Sequence, residues 1–407
     1  MPFLKIKLCL LIITFLIVGN IYSQQKTDLD SLYKKINHFS LLKNKDSLKK
    51  YNAVFLEKTK KDTSSFYYSV ANLNYANINR YEDEEAEIIA KKAIAKFKEI
   101  GNEEYILRAY NTISQIKYFK GELDLANIYN DSIIGYINGK KNFKYISNER
   151  KCEFLVGAYS NIAGNLHYKG DYENALKNIL EAKKYTDSIK RIKFPEVDLG
   201  IGIINTALFR HKKARETYKN LINSYIRDKN KRILQLGYSS LAESYMVDNI
   251  KDSALYYYKK ANITSKEIND YQGLASSFMK IGDLEKDKGN LEAAEINLKK
   301  ALNIVENKNI GRIKPEVLTT LSDIYLKKGK TDLAINTLNE VLSSAKKNKR
   351  QPIIRETYKL LSNAYRNKNK FKEALKYNNL YFILKDSIKS KDILKNTEEL
   401  QVKFETE

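Results

Sequence analysis

Only three histidines occur in the 407 residues, His38, His167 and His211, and they stand far apart. None belongs to an H-E-x-x-H pair, and no His/Cys cluster has the spacing that holds zinc. His167 and His211 fall inside the repeat pattern described below, which assigns them to structure. The run Gly135-Tyr-Ile-Asn-Gly139-Lys140-Lys141 has the outline of a phosphate loop. A phosphate cradle needs four residues between its glycines, where this run has three, and a Ser or Thr for magnesium, where Lys141 stands. The run reads as a turn. Gly200-Ile-Gly202 lacks the third glycine of a dinucleotide fingerprint and follows no strand. No G-x-S-x-G elbow occurs. Carboxylates are abundant, but no acid/base pair stands out from ordinary helical surface charge. The sequence thus predicts no catalytic residue, no metal ligand and no cofactor, and the chain reads as a non-enzyme.

The elements that carry these residues follow from composition and period. Only 4 prolines and 16 glycines interrupt a chain that is 43% hydrophobic and 30% charged, which favours helix over a turn-rich β architecture. Tryptophan is absent while tyrosine reaches 30; a ring for the core and a hydroxyl for the rim suit half-buried helices. The net charge is +23, from 72 Lys and Arg against 49 Asp and Glu. The basic residues are spread along the chain without a nucleic-acid-reading motif, so direct nucleic-acid binding is not expected. Acidic proteins or an anionic membrane surface suit this charge better.

Residues 1–23 read as a secretory signal. Lys5 and Lys7 supply the positive start, Leu8 to Val18 is an apolar run, and Gly19-Asn-Ile-Tyr-Ser23 leads to a cut before Gln24. The run is short for a membrane span. Cys9 has no small-residue lipobox before it, so no lipid anchor is expected. Removal of the leader leaves Cys152 as the single cysteine, and packing alone must hold the fold.

A repeat then organises the chain. Ala86, Ala126, Ala175, Ala214, Ala254, Ala294, Ala334 and Ala374 anchor successive units, and the last four intervals are 40 residues each. Seven residues after each anchor stands an apolar or aromatic residue, two helical turns along one face. Five residues before the anchor come Gly121, Gly170, Asn249, Gly289, Gly329 and Asn369, with Tyr81 and Phe209 as exceptions. Gly and Asn accept the left-handed conformation that ends a helix. Pro195 and Pro315 stand 19 residues before their anchors, where a first helix would open. Each repeat is therefore expected to be two helices. The 49-residue interval between Ala126 and Ala175 implies an insertion around Gly135 to Glu149, read as an extended loop.

The segment Asn161-Ile-Ala-Gly-Asn-Leu-His-Tyr-Lys-Gly-Asp-Tyr-Glu-Asn-Ala-Leu176 resembles the tetratricopeptide repeat, with a small residue in the first helix, Gly-Asp-Tyr at the turn and Ala in the second helix. The resemblance covers residues 67–384, more faintly at Ala86, Ala126 and Ala214. It implies an all-α, right-handed α-solenoid of about eight helical hairpins with a period of about 40 residues. That exceeds the family's usual period of about 34, so longer helices are expected. Residues 24–66 are expected to hold capping helices, and residues 385–407 a terminal helix. In the family, the concave face is lined by exposed positions of the first helices. These correspond here to Glu243, Asp283, Asp323, Lys359 and Asn363. Lys359 and Asn363 share a helical face and resemble part of a carboxylate-gripping clamp, although the further clamp residues from following repeats are missing.

In the terminal helix, Ile393, Thr397, Leu400 and Phe404 follow four-three-four spacing, the start of a coiled-coil seam. Glu399-Leu-Gln-Val-Lys-Phe-Glu-Thr-Glu407 resembles the juxtamembrane helix of bacterial sensors, in which a signal peptide and a tetratricopeptide array precede a membrane span and an output domain. This implies an exported scaffold, periplasmic or membrane-associated, that binds a peptide or protein as the sensory part of a signalling protein. A free-standing periplasmic adaptor is the alternative.

Overall fold

The computed structural model describes residues 28–38, 45–62, 65–80, 84–189, 194–226, 230–308, 310, 313–348 and 350–385. The expected leader, the turn residue Tyr81 and the terminal segment 386–407 lie outside them. Every regular element among the described residues is a helix. They divide into two compact units between Leu208 and Phe209. The first holds α1 (28–38), α2 (Lys45–Thr59), α3 (Phe66–Ile78), α4 (Ala86–Ile100), α5 (Glu103–Phe119), α6 (Leu123–Gly139), α7 (Asn148–Lys169), α8 (Tyr172–Ser188) and α9 (Pro195–Ala207). The second holds α10 (His211–Ile226), α11 (Lys231–Val247), α12 (Lys251–Glu267), α13 (Tyr271–Asp287), α14 (Leu291–Asn307), α15 (Lys314–Lys327), α16 (Thr331–Lys347), α17 (Gln351–Asn367) and α18 (371–385).

The fold is an α-solenoid of stacked helical hairpins, built the way the period demands. From α11 to α14, 17-residue helices alternate with three-residue connections, which fills 40 residues and accounts for the excess over the shorter family period. The anchors are the close-packing points: seven of the eight alanines have no exposed surface, and Ala374 is also buried. A methyl at that place lets the two helices of a hairpin approach, and larger side chains interdigitate around it. Pro195 and Pro315 occupy the opening turns of α9 and α15.

Turns are set by backbone sign. Gly121, Gly170, Gly289 and Gly329 have φ between +72° and +88°, while Asn249 and Asn369 sit at +56°. After α13 the Gly289 N–H donates to the Lys286 carbonyl at 3.0 Å, and the Asn290 N–H to the Glu285 carbonyl at 2.9 Å. These bonds satisfy the last carbonyls of the helix. Phe209 holds the same left-handed place with φ +57°, without a glycine's freedom.

One expectation needs correction. The run Gly135–Gly139 is the last turn of α6 rather than a loop, and the connection spans 140–147 only. Ile133 and Ile137 explain why, since both are buried and carry the apolar face of α6 to its end. Gly200 and Gly202 likewise lie inside α9.

Within each unit, consecutive first helices touch one another: α3 with α5, α5 with α7 and α7 with α9 in the first, α13 with α15 and α15 with α17 in the second. No two second helices do so to a similar extent. The first helices therefore line the inner side of each stack and the second helices its outer side.

Candidate functional site

The inner side of the second unit carries a row set by the period. Glu243 on α11, Asp283 on α13, Asp323 on α15 and Asn363 on α17 follow one another every 40 residues, so each first helix presents one such side chain at the same level. Lysines join them. Lys280 Nζ lies 3.3 Å from Glu243, and Lys286 Nζ lies 3.3 Å from both Asp283 and Asp323. The structure thus brings Asp283 and Asp323 together around one ammonium. Burial alone would push Lys286 down, but the two carboxylates outweigh it and its pKa is raised. Lys359 is exposed and donates to Glu356 on its own helix at 3.0 Å. Asn363 is half-buried beside it in the row.

Beneath this row lies a side chain that pattern reading misses. Tyr258 on α12 is buried against Ala242 and Ile281, and its hydroxyl finds no hydrogen-bond partner among the described residues. Burial pushes its phenol up, and the Glu243 and Asp283 carboxylates push the same way. The equivalent place one period earlier is the buried Tyr218, and one and two periods on it is Leu298 and Leu338, so two adjacent repeats carry a tyrosine where the next two carry leucine. Lys286 is illegible by period, because Met246, Leu326 and Arg366 stand at its place in the neighbouring repeats.

The first unit has its own polar inner surface. Glu104 on α5 accepts from Arg108 at 2.6 Å and from Arg150 on α7 at 3.3 Å, and Arg150 also pairs with Glu153. Deeper between α5, α6 and α7 lies an amide network. Ser114 donates to the Asn130 side-chain oxygen at 3.0 Å, Asn161 reaches the same oxygen at 3.4 Å, and Asn165 donates to Asn127 at 2.7 Å. Asn130 is fully buried and its amide nitrogen has no partner among the described residues. Such an unmade bond costs about 1–3 kcal/mol.

These groups can bind charged and polar partners, and they offer no nucleophile–base pair. Among the described residues no group of three or more His, Cys, Asp or Glu is placed to hold a metal ion. His167 packs against Tyr172, with burial lowering its pKa, and His211 pairs with Asp248. No helix among the described residues is long and apolar enough to cross a membrane.

Comparison with known proteins agrees with this architecture. Residues 275–307 and 315–348, which span most of α13 to α16, match the family model described as Tetratricopeptide repeat. No curated protein matches the sequence. The apo form of RapI superposes with a TM-score of 0.61 at 12% identity, covering 90% of this chain and 98% of that one. The apo quorum sensor NprR from B. thuringiensis gives 0.59 at 14% identity, covering 89% and 99%. The Rap conjugation gene regulator of plasmid pLS20, in complex with a Phr peptide, gives 0.53 at 11% identity, covering 89% and 96%. At these identities the likeness is one of fold.

Proposed function

We propose that this chain, whose residues 275–307 and 315–348 match the tetratricopeptide repeat, is an exported scaffold binding a peptide or protein along its first helices. Its role is then the extracytoplasmic sensory part of a bacterial signal-transduction protein. The observation that carries the binding surface is the row of Glu243, Asp283 and Asp323 on successive first helices, interleaved with Lys280 and Lys286. A surface of both signs, repeated at the hairpin spacing, suits an extended ligand read along its length. Two structures of similar fold support a peptide ligand and a sensing role: one is a quorum sensor, the other holds a peptide. The leader at residues 1–23 supports export, and the likeness of Glu399-Leu-Gln-Val-Lys-Phe-Glu-Thr-Glu407 to a juxtamembrane helix supports proximity to a membrane. The alternative is a free-standing periplasmic adaptor. Codons for an apolar span of about 20 residues following Glu407 favour the sensor; a stop codon there favours the adaptor.

Binding is tested with peptides selected from a random display library on the wild-type protein. Lys359→Glu is compared with Lys300→Glu, whose lysine is exposed on the outer helix α14. At 0.1 M salt we expect Lys359→Glu to weaken binding roughly fivefold more, ~1 kcal/mol for a rim charge. At 1 M salt the gap narrows, because the screening length falls from about 10 Å to 3 Å. Equal losses in both variants mean that net charge alone acts and remove the inner-surface reading.

A further inference from the structure

Two consecutive levels of the inner row carry the same carboxylate pair and differ in what lies with it. Between α13 and α15, Asp283 and Asp323 share the Lys286 ammonium, each at 3.3 Å, and the intervening helix α14 contributes the fully buried Leu298. One period earlier, between α11 and α13, the pair is Glu243 and Asp283. Here Met246 stands at the place of Lys286, and Tyr258 of α12 at the place of Leu298. The carboxylates recur, but from that place the chain supplies no ammonium to lie between them.

The exchange leaves a polar group without a bond. Tyr258 is only 3% exposed, and its hydroxyl has no hydrogen-bond partner among the described residues. Such a group is costly to keep unpaired. Burial is the main cause of the rise in its pKa, and Glu243 and Asp283 add to it, so both carboxylates lie near the hydroxyl. Met246 packs, partly buried, against the cluster that holds Tyr258. Lys280 does not fill the place. Its Nζ meets Glu243 at 3.3 Å on the open rim, where the two side chains are 40% and 59% exposed, and the Tyr258 hydroxyl stays unpaired. Two carboxylates and a phenol oxygen are acceptors, and an ammonium brings three N–H donors.

We propose that the level formed by Glu243, Asp283 and Tyr258 binds a primary ammonium of the ligand, in the place that Lys286 fills one period on. The ammonium comes from a lysine side chain or from a peptide N-terminus. This deepens the peptide-binding reading and rests on it for the source of the ammonium; the acceptor site rests on Met246 and Tyr258.

Met246→Lys supplies the missing ammonium from within, and Met246→Gln is its uncharged counterpart. Met246→Lys should melt several degrees above Met246→Gln, and the gap should shrink when Tyr258→Phe is added to both. No gap, or a gap that Tyr258→Phe leaves unchanged, overturns the site. Peptides selected from a display library then identify the source. Acetylating either their lysines or their N-terminus should weaken binding to the wild type roughly tenfold, and Met246→Lys should weaken the unmodified peptide as much. If such peptides protect the inner row, yet neither acetylation nor Met246→Lys alters their affinity, the ammonium site falls while the peptide-binding reading stands. If no selected peptide binds the inner row, that reading falls. The site then stands only if n-butylammonium, and not n-butanol, raises the melting temperature of the wild type without raising that of Met246→Lys; equal responses overturn it.

Discussion

Left-handed residues decide where hairpins turn, and they allow a direct comparison between two side chains in one conformation. Gly289 holds φ +85° and a Cβ built there meets nothing within 4 Å, so a substitution is opposed by backbone strain alone. Gly289→Val should cost roughly 1–2 kcal/mol or more. Phe209, at φ +57° and largely exposed, already bears such strain, so Phe209→Gly should recover about 1 kcal/mol. Lys299 is a poor neutral reference despite its exposure, because it pairs with Glu295 at 2.7 Å; Lys300 serves better. Denaturant midpoints check both, and Gly289→Val matching Lys300→Ala would remove the turn assignment. A second residue-level expectation concerns Glu103, only 3% exposed, which accepts from Lys140 at 2.8 Å and from the Lys144 and Tyr145 backbone N–H groups at 3.2 and 3.1 Å. It pins the 140–147 connection. Burial alone would push its pKa up, but the Lys140 ammonium and the N–H groups hold it at about 2 against an ordinary 4.5. The carboxylate therefore stabilises the fold fully above about 4.5, and this contribution is lost as pH falls toward about 2. Glu103→Gln should cost about 1–3 kcal/mol at pH 7, with the difference from wild type shrinking below pH 4.5. A difference that is constant down to pH 2 contradicts the assigned ionisation.

Between elements, the repeat uses a charge staple. An acid two residues before the anchor, in the first turn of a second helix, reaches a lysine at the end of the next first helix. Asp124 with Lys169 and Asp252 with Lys288 are each 2.7 Å apart, Glu292 with Lys328 is 3.2 Å, and Asp332 pairs with Lys368. Each charge also suits the helix dipole at its own end. At the end of α11 the sign is reversed: Asp248 takes the lysine's place and is held by His211 and Arg215 on α10. Asp248→Lys restores the pattern of the other repeats but meets Arg215. We expect a lower melting temperature at 0.1 M salt and partial recovery at 1 M salt. A variant as stable as wild type would show that the pattern, not the pair, matters. Aromatic pairing also follows the period, with Tyr245 stacked on Tyr257 and Tyr365 on Tyr377 at ring separations of 5.7 and 5.6 Å. The turns after first helices were legible because only Gly and Asn tolerate them cheaply. The extent of α6 was not, because glycines inside a helix carry the same letters as glycines in a loop, and burial of Ile133 and Ile137 decides between them.

At the scale of the molecule, the fold was readable because one supersecondary unit recurs, and each recurrence tests the last. The candidate surface was only half readable. Period alone marks Glu243, Asp283 and Asp323, whereas the lysines that join them break the period, and both these and the burial of the Tyr258 hydroxyl emerge only when helices are stacked. The chain carries +23 overall, yet this row is rich in carboxylates, so a ligand drawn by net charge alone would not choose it. That contrast permits a decisive measurement. Carboxyl groups are labelled by a soluble carbodiimide and an amine, with and without a library-selected peptide, and the modified residues are read by mass spectrometry. Bound peptide should protect Glu243, Asp283 and Asp323 on the first helices while leaving Asp252, Glu292 and Asp332 on the second helices unchanged. Protection of the second-helix carboxylates, with the inner row labelled as before, would contradict binding along the first helices.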